Sequence, residues 1–435
     1  MIKRSIVASA LVLMLAASAS SAAAAPADDG LWYFDAANIA VQHDAGITGK
    51  GVTIAVLDGP VNTDIPTLKD ANIEVREPSF CYTDDHKLAP ATSTDLSGPD
   101  SAYHGTNVVS YIAGTGDGYE GQTGVKGVAP GAKVLYYAVS RLDKVVAGGE
   151  QISCLEKDGS TKSDEVGQAM TEAMDAGADI IVIAAGYNGD ALSFGNGAYE
   201  RAIREGVIVV GSVANTDDLV VSMNFPAGAN GSVGVQAADI NGTIQTTDGR
   251  PNDNPSTMVI APGIGILGQG ERDGTWEKQI LIPGSTSVAT PIAAGYIALA
   301  MQKWPDATGN QILQDMVRSS NDAGTASFDP TGLVGYGFVT ATRMIERDPS
   351  QYEDVNPLLE NVRGFAVPTS EEIYAAPTAT PEPDPNTAAP APSDAAPIGL
   401  LVALVVGGLV VLGVIILVVV LAVRRSRPRV PGTKI

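Results

Sequence analysis

The middle of the chain alternates between short apolar runs and segments whose apolar residues recur at helical spacing. The short runs are rich in β-branched residues and apolar at nearly every position, which is typical of strands covered on both faces. They occupy residues 52–57, 133–139, 179–184, 207–212 and 232–236, and the helical patterns occupy 164–176 and 197–204. This alternation predicts an α/β fold, a three-layer sandwich whose central sheet is mainly parallel. In such sheets the functional side chains gather at the carboxyl ends of the strands.

The two ends of the chain have patterns of their own. Lys3 and Arg4 precede an apolar run over residues 6–17 and then small residues, a layout that predicts a secretory signal peptide over residues 1–24. An uncleaved anchor at this position is the alternative. Residues 398–423 contain no charged side chain over 26 positions, which at about 1.5 Å per residue is enough to cross a hydrocarbon core of about 30 Å. We therefore expect one C-terminal transmembrane helix.

The remaining boundaries follow from this span. The basic tail at residues 424–435 indicates the cytoplasmic side, so we expect a single-pass protein of the cell membrane whose folded body is extracytoplasmic. Residues 351–397 are predicted to form a Pro-rich spacer, with seven prolines from Pro377 to Pro397 and no apolar face to bury. An N-terminal extension at 25–50 and a folded domain at 51–350 complete the chain, and the domain is long enough for one large core.

Charge and cysteine content narrow the class of protein. The formal net charge is −22, and so acidic a chain repels phosphate backbones, which excludes nucleic-acid binding. The two cysteines are Cys81 and Cys154, and export to an oxidising compartment predicts one disulfide between them. Two separate buried thiols are the alternative. Two cysteines without accompanying histidines do not indicate a zinc site, and we assign no metal ligand.

Three segments carry the candidate chemistry, and each has two interpretations when taken alone. Asp58 directly follows the first buried strand, where a carboxylate either acts chemically or caps a turn. His104, one of three histidines, stands at the start of a helical segment rich in small and apolar residues. Ser287 precedes the strongly apolar segment 292–301. A serine at the start of a helix either caps it or uses the positive end of the helix dipole to favour a nucleophilic oxygen.

Taken together, these segments resemble the subtilisin-like serine proteases, or subtilases, whose catalytic residues occur in the order Asp, His, Ser. The resemblance covers most of residues 51–342. The family motifs match Val56-Leu57-Asp58, His104-Gly105-Thr106 and Thr286-Ser287-Val288-Ala289-Thr290-Pro291, and Val213-Ala214-Asn215 stands where the family has its oxyanion asparagine. The fold that this resemblance implies is the same three-layer α/β sandwich.

The resemblance implies a role for each matched residue. Asp58 would orient and stabilise His104, which would take the proton of Ser287 as the hydroxyl attacks the substrate carbonyl. Asn215 and the backbone N–H of Ser287 would bind the oxyanion, whereas the alternative for Asn215 is a turn asparagine. The residues that would line the substrate cleft are Ala184, Ala185 and Gly186.

The sequence also departs from the family pattern, although not at a matched catalytic residue. Gly59-Pro60 replaces the usual Thr-Gly, Asn107 replaces a second histidine, and Ser285 replaces the glycine before Thr-Ser. The cleft segment at 184–186 reads Ala-Ala-Gly where Ser-Leu-Gly is usual. Two hypotheses follow. One is a membrane-tethered serine endopeptidase that cleaves exported or cell-surface proteins, and the other is a weak or inactive subtilase that serves as a structural partner of a membrane secretion complex.

The layout of the whole chain adds a second resemblance. Only about 33 residues separate the predicted signal cleavage from Asp58, too few for the folded propeptide of many secreted subtilases. With the spacer, the span and the tail, this layout resembles the mycosins, the membrane-anchored subtilases of type VII secretion systems. It implies protein or peptide substrates and partners in a secretion complex. We expect no required cofactor, and calcium, which the family resemblance suggests, has no ligand set that we can assign.

Overall fold

A seven-stranded parallel sheet forms the centre of the part of the chain that the structure describes. The structure is a computed structural model, and it describes residues 29–146, 149–160, 162, 164–188, 197–215, 224–359 and 367–375. The predicted signal peptide (1–24), transmembrane helix (398–423) and basic tail (424–435) lie outside these residues. The described residues all belong to one unit, Met1–Ala375, and a second unit, Ala376–Ile435, lies outside them.

Runs of apolar residues build the strands of this sheet. The strands are β1 (Thr53–Asp58), β2 (Ile73–Arg76), β3 (Lys133–Ala138), β4 (Ile180–Ile183), β5 (Ile208–Ser212), β6 (Val233–Ala238) and β7 (Val259–Pro262). Their order across the sheet is β7-β6-β5-β4-β1-β3-β2, and each neighbouring pair is parallel. The five predicted strands all lie in this sheet, whereas the apolar pattern does not single out β2 and β7.

Helices cover both faces of the sheet. In the described residues they are α1 (Trp32–Ala36), α2 (Ile39–Asp44), α3 (Pro66–Lys69), α4 (Tyr103–Ala113), α5 (Glu165–Asp175), α6 (Ala198–Glu205), α7 (Thr286–Lys303), α8 (Gly309–Ser319), α9 (Ala341–Glu346) and α10 (Ser370–Tyr374). Along β1, Ile54 and Val56 join an apolar cluster with α4 and α7, while Ala55 and Leu57 join another with α5 and α6. Both faces of β1 are therefore buried, which explains its unbroken apolar sequence. The predicted α/β arrangement of a parallel sheet between helices is confirmed.

Short hairpins and turns connect these elements, and one disulfide ties two of the connections together. The antiparallel pairs are Thr115–Asp117 with Thr123–Lys126, Arg141–Val146 with Gly149–Ser153, Tyr187–Asn188 with Asn224–Phe225, Thr246–Thr247 with Arg250–Pro251, and Ile266–Gln269 with Gln279–Ile282. Single 3₁₀ turns lie at Tyr119–Gly121 and Pro349–Gln351. Cys81 and Cys154 form a disulfide, the pairing that the sequence predicts.

The packed body continues beyond residue 350, into the described part of the segment predicted as a spacer. Leu358 and Ile373 are fully buried. The Asn356 side chain donates to the Gly231 carbonyl at 2.8 Å, and Arg204 donates to the Ile373 carbonyl at 2.6 Å. Each stretch buries only isolated apolar residues, so it has no periodicity that the sequence could reveal.

Within the residues that the structure describes, no helix combines the length and the hydropathy that a bilayer crossing requires. The predicted span at 398–423 lies outside those residues and stays a prediction.

Candidate active site

The carboxylate and the imidazole of the predicted site lie together at the carboxyl end of β1. Asp58 is the last residue of β1 and is 2% exposed, and His104 is the second residue of α4. Nδ1 of His104 lies 2.8 Å from Oδ1 and 3.0 Å from Oδ2 of Asp58, and the Gly59 N–H also donates to Oδ1 at 2.7 Å. Because a carboxylate only accepts, Nδ1 carries the proton and Nε2 is the acceptor nitrogen of the neutral ring.

The surroundings of His104 set its protonation. The partial burial of the imidazole, whose side chain is 37% exposed, disfavours the charged form and by itself lowers the pKa of His104, and the positive charge of Arg272 acts in the same direction. The negative charge of Asp58 and its hydrogen bond outweigh both effects and raise the pKa of His104 above its ordinary value of 6.5. An imidazole with such a pKa is suited to accept a proton near neutral pH.

Ser287 is the second residue of α7, and both of its polar groups have partners. Its backbone N–H donates to the hydroxyl of the N-cap residue Ser285 at 3.2 Å. Its own hydroxyl donates to the Ala184 carbonyl at 2.8 Å, and among the described residues it makes no hydrogen bond to His104. The hydroxyl must turn away from Ala184 before it can donate to Nε2 of His104. Catalytic hydrogen bonds often tighten in this way only when substrate is bound.

The register of the sheet places the three predicted catalytic residues at the carboxyl ends of two neighbouring strands, β1 and β4. β1 and β4 pair in parallel so that Asp58 and Ala184 lie at the same level of adjacent strands. Asp58 holds His104, and Ala184 accepts the hydroxyl of Ser287. Helices α4 and α7, which carry the histidine and the serine, also pack against each other. The arrangement can therefore support a serine nucleophile, an imidazole base and a buried carboxylate.

Asn215 follows the carboxyl end of β5, and its side chain bonds to Thr286, the first residue of α7. Its Oδ1 accepts from the Thr286 N–H at 2.9 Å and from the Gln245 amide at 3.1 Å. The Thr286 hydroxyl is also 3.1 Å from Oδ1, but its single hydrogen has a nearer acceptor in the Val213 carbonyl at 2.8 Å. Two N–H donors hold Oδ1, so the amide orientation is set, and Nδ2 has no partner among the described residues. A donor held in this way next to Ser287 is suited to stabilise an oxyanion.

Comparison with known proteins identifies the family. Residues 49–337, more than half of the chain, match the model of the subtilase family. The chain belongs to the subtilase family. The matched region begins just before β1 and ends after β7, so it contains Asp58, His104, Asn215 and Ser287.

Several relatives of this subtilase are named proteases. The thermostable alkaline protease of Halalkalibacterium halodurans is 29% identical over 311 residues, which are 71% of this chain and 73% of the relative. Fervidolysin of Fervidobacterium pennivorans is 28% identical over 357 residues, which are 78% of this chain and 47% of the relative. The chain thus spans about half the length of fervidolysin.

The solved structure of fervidolysin, a keratinolytic enzyme related to subtilisin, also matches the fold. It has a TM-score of 0.53 at 26% identity and covers 73% of this chain and 46% of its own. Subtilisin BL of Lederbergia lenta is 26% identical over 310 residues, which are 70% of this chain and 96% of that protein. The family and these relatives indicate that this subtilase is a serine endopeptidase with a subtilisin-like fold.

The segment that the sequence assigns to the substrate cleft of the subtilase follows β4. Ala184 and Ala185 are buried, whereas Gly186 is exposed. The Ala184 carbonyl accepts two hydroxyls, those of Ser287 at 2.8 Å and of Ser212 at 2.9 Å. Its position beside the nucleophile agrees with a place at the cleft, and contact of these three residues with substrate stays a prediction.

Sequence reasoning misses two residues that shape this site. The Arg272 guanidinium lies 5.1 Å from the Tyr103 ring centre and opposes the rise in the pKa of His104. It comes from a distant loop, so no local motif marks it. Asn107 is recognisable only as a departure from the family pattern, yet its side chain exchanges two hydrogen bonds with the Gln269 backbone, at 2.9 and 2.8 Å. These bonds attach α4 to the strand Ile266–Gln269.

The described residues were also compared with the side-chain clusters that commonly bind metal ions. Across residues 29–375, apart from the undescribed gaps, no group of three or more His, Cys, Asp or Glu side chains is arranged to hold a metal ion. Calcium therefore stays without an assigned ligand set.

Proposed function

We propose that this subtilase is a membrane-tethered, extracytoplasmic serine endopeptidase that cleaves exported or cell-surface proteins. The observation that supports the catalytic activity is the contact of His104 with the buried Asp58 at the carboxyl end of β1. Ser287 lies beside the carboxyl end of the neighbouring strand, where its hydroxyl bonds to Ala184. Because Asp58 holds the proton on Nδ1, Nε2 is the nitrogen that can act as a base. This is the tautomer that a serine nucleophile requires.

Acylation begins when the Ser287 hydroxyl turns from Ala184 to Nε2 of His104. Oγ attacks the carbonyl carbon of the scissile peptide while its proton passes to Nε2, and the electrons of the C=O bond move onto the oxygen. Asp58 stabilises the imidazolium that forms. The tetrahedral intermediate then collapses, the C–N bond breaks, and His104 gives its proton to the leaving amine. The product is an acyl ester on Ser287.

Deacylation repeats these steps with water as the nucleophile. His104 takes a proton from the water as it attacks the ester, and the same proton returns to Oγ when the ester bond breaks. Both tetrahedral intermediates bear a negative oxygen. Nδ2 of Asn215 and the backbone N–H of Ser287 are the donors in this mechanism, and the positive end of the α7 dipole favours charge at the same place.

The tether rests on sequence features that lie mainly outside the described residues. The signal peptide at 1–24 exports the body, and the span at 398–423 with the basic tail at 424–435 holds it at the membrane. The prolines from Pro377 to Pro397 separate the body from the bilayer. This mycosin-like layout supports a place beside a secretion complex, where exported proteins pass within reach.

A serine-directed fluorophosphonate tests the chemistry, because covalent labelling needs an activated nucleophile. The full-length protein should be labelled, Ser287→Ala should not be labelled, and His104→Ala should be labelled far more slowly although it folds. Peptide hydrolysis should follow the same order. A folded wild-type protein with neither labelling nor turnover would contradict the proposal and favour the role as a structural partner of a membrane complex.

Cell fractionation tests the tether independently of catalysis. The wild-type protein should remain in the membrane fraction, and its body should be digested by protease added outside the cell. A matched chain that ends at Pro397 should be recovered in the extracytoplasmic soluble fraction. Wild-type protein that is recovered in the soluble fraction would contradict the tether without affecting the catalytic assignment.

A further inference from the structure

The first turn of α7 leaves none of its four N–H groups without an acceptor. The first N–H donates to Asn215 at 2.9 Å, and the third and fourth donate to the Ser285 carbonyl at 3.2 and 3.3 Å. The second, that of Ser287, donates to the Ser285 hydroxyl oxygen at 3.2 Å. It is the one N–H of this turn whose acceptor is a side-chain hydroxyl.

The proposed mechanism needs this same N–H for the oxyanion. A single hydrogen cannot make two well-aligned bonds, so the Ser285 oxygen and the substrate oxygen compete for it. The usual subtilase residue at this position is glycine, which has no side chain to accept the bond.

We propose that Ser285 is a positioning residue that lowers kcat, because its hydroxyl occupies the oxyanion donor of Ser287 in the resting enzyme. The inference rests on the proposed function. The Ser287 hydroxyl is bonded to Ala184 in the same resting state, so both reacting groups of the nucleophile begin with partners inside the protein. Each turnover must break the bond to Ser285 as charge develops. Loss of one neutral hydrogen bond corresponds to about a two- to tenfold difference in rate.

Ser285→Gly is the variant that separates this effect from helix capping. Glycine removes the acceptor but is nearly as good an N-cap as serine. The backbone at 285 is extended, with φ −162°, which any residue adopts. We expect kcat to rise about two- to tenfold in the full-length protein. KM should not change, because the oxyanion forms only after the substrate has bound.

A pair of peptide inhibitors gives a second readout that a purely structural role would not move. A peptide aldehyde forms a tetrahedral adduct on Ser287 whose oxygen occupies the oxyanion position. The matching peptide acid binds the same cleft without forming that adduct. Ser285→Gly should tighten the aldehyde by the same two- to tenfold factor as kcat and leave the affinity for the acid unchanged.

Two further variants serve as controls. Ser285→Thr keeps a hydroxyl acceptor and should return kcat to the wild-type value. Thr308 is the N-cap of α8, where its hydroxyl accepts the Gln311 N–H at 3.2 Å, and it lies outside the catalytic machinery. Thr308→Gly should lower the melting temperature slightly and leave kcat and KM unchanged. A rise in kcat at both glycine variants would mean a general loosening of the fold and would overturn the proposal.

The outcomes separate this inference from the proposed function. Wild-type turnover with an unchanged or lower kcat in Ser285→Gly overturns the inference alone, and a lower kcat would mean that the hydroxyl donates to the oxyanion. If the wild type and Ser285→Gly both fold and neither shows labelling or turnover, the inference and the proposed function are both overturned.

Discussion

Asn215 combines two tasks in one amide group. Oδ1 holds the first turn of α7 through Thr286, and Nδ2 is the proposed donor to the oxyanion. Asn215→Ala should lower kcat by about 10²–10³-fold, the size known for a missing oxyanion donor in subtilisin, and should reduce stability by about 1 kcal/mol. Asn215→Asp keeps the acceptor but puts a negative charge where the donor was. It should lose at least as much kcat and keep its stability in urea unfolding, and an active Asn215→Asp variant would contradict the assignment.

His104 predicts how activity depends on pH. The residue acts as a base only when neutral, and its pKa lies above 6.5 because Asp58 outweighs the effects of burial and of Arg272. Activity should therefore fall as the pH drops through that raised pKa, which a profile of kcat/KM against pH measures. Asp58→Asn removes the stabilising charge, so kcat should fall sharply and the acid limb of the residual activity should move to lower pH. If the acid limb of the pH profile stays at the same pH in Asp58→Asn, Asp58 does not raise the pKa of His104.

Helix α7 begins at the carboxyl ends of the strands, where the candidate site lies, and ends near the amino end of β1. Its last turn carries Gln302, whose Oε1 accepts three consecutive backbone N–H groups, those of Thr48, Gly49 and Lys50, at 2.7, 2.7 and 3.0 Å. Nε2 of the same side chain donates to the Gly46 carbonyl at 2.8 Å. These residues form the loop that precedes β1. One side chain therefore joins the helix that carries the nucleophile to the strand that carries the carboxylate.

Replacement of Gln302 tests this link. Gln302→Ala leaves three donors without their acceptor and should lower the free energy of unfolding by about 1–3 kcal/mol in urea titration. Gln302→Glu is the matched control, since it keeps an oxygen that accepts the three bonds, although it replaces the donor to Gly46 with a second, negatively charged acceptor. It should retain most of the stability. Equal stability of the alanine variant and the wild type would show that the loop is held by other contacts.

At the scale of the whole molecule, the folded body should extend past residue 350 at least to Ile373. A chain of residues 25–375 contains the buried Leu358 and Ile373, and a chain of residues 25–350 lacks both. Burial of each such side chain contributes about 1.5–3 kcal/mol, so the shorter chain should be several kcal/mol less stable or should fail to fold. Ile373→Ala in the longer chain should cost about 2–5 kcal/mol. Thermal melting measures both effects, and equal melting temperatures would place the boundary at 350.

The candidate site could be proposed from the sequence because three segments, each open to two interpretations alone, together resemble the motifs of the subtilases. Asp58 ends a strand, and His104 and Ser287 each begin a helix. These places can be read from local patterns, since strand and helix ends are governed by neighbouring residues. Arg272 could not be found in the same way, because its loop reaches His104 only through the fold.

Strands β2 and β7 could not be predicted from the apolar pattern for a similar reason. β2 lies at the edge of the sheet with half-exposed residues, and β7 ends in proline, so neither has the β-branched apolar run that marks the five central strands. Their places depend on pairing with partners far along the chain. The order of the strands was equally beyond the apolar pattern.

The amino-acid sequence by itself predicted the α/β class and the five central strands, because burial on both faces leaves unbroken apolar runs. It offered the cysteine pair as one of two alternatives, and it assigned the candidate site residues through the resemblance of three separate motifs to the subtilases. Only the tertiary structure decided that Ser287 rests on Ala184, and that Ser285 holds the N–H which an oxyanion needs. The partner of a hydroxyl or an amide is chosen by the groups that the folded chain places within 3 Å or so of it, and no local pattern contains that information.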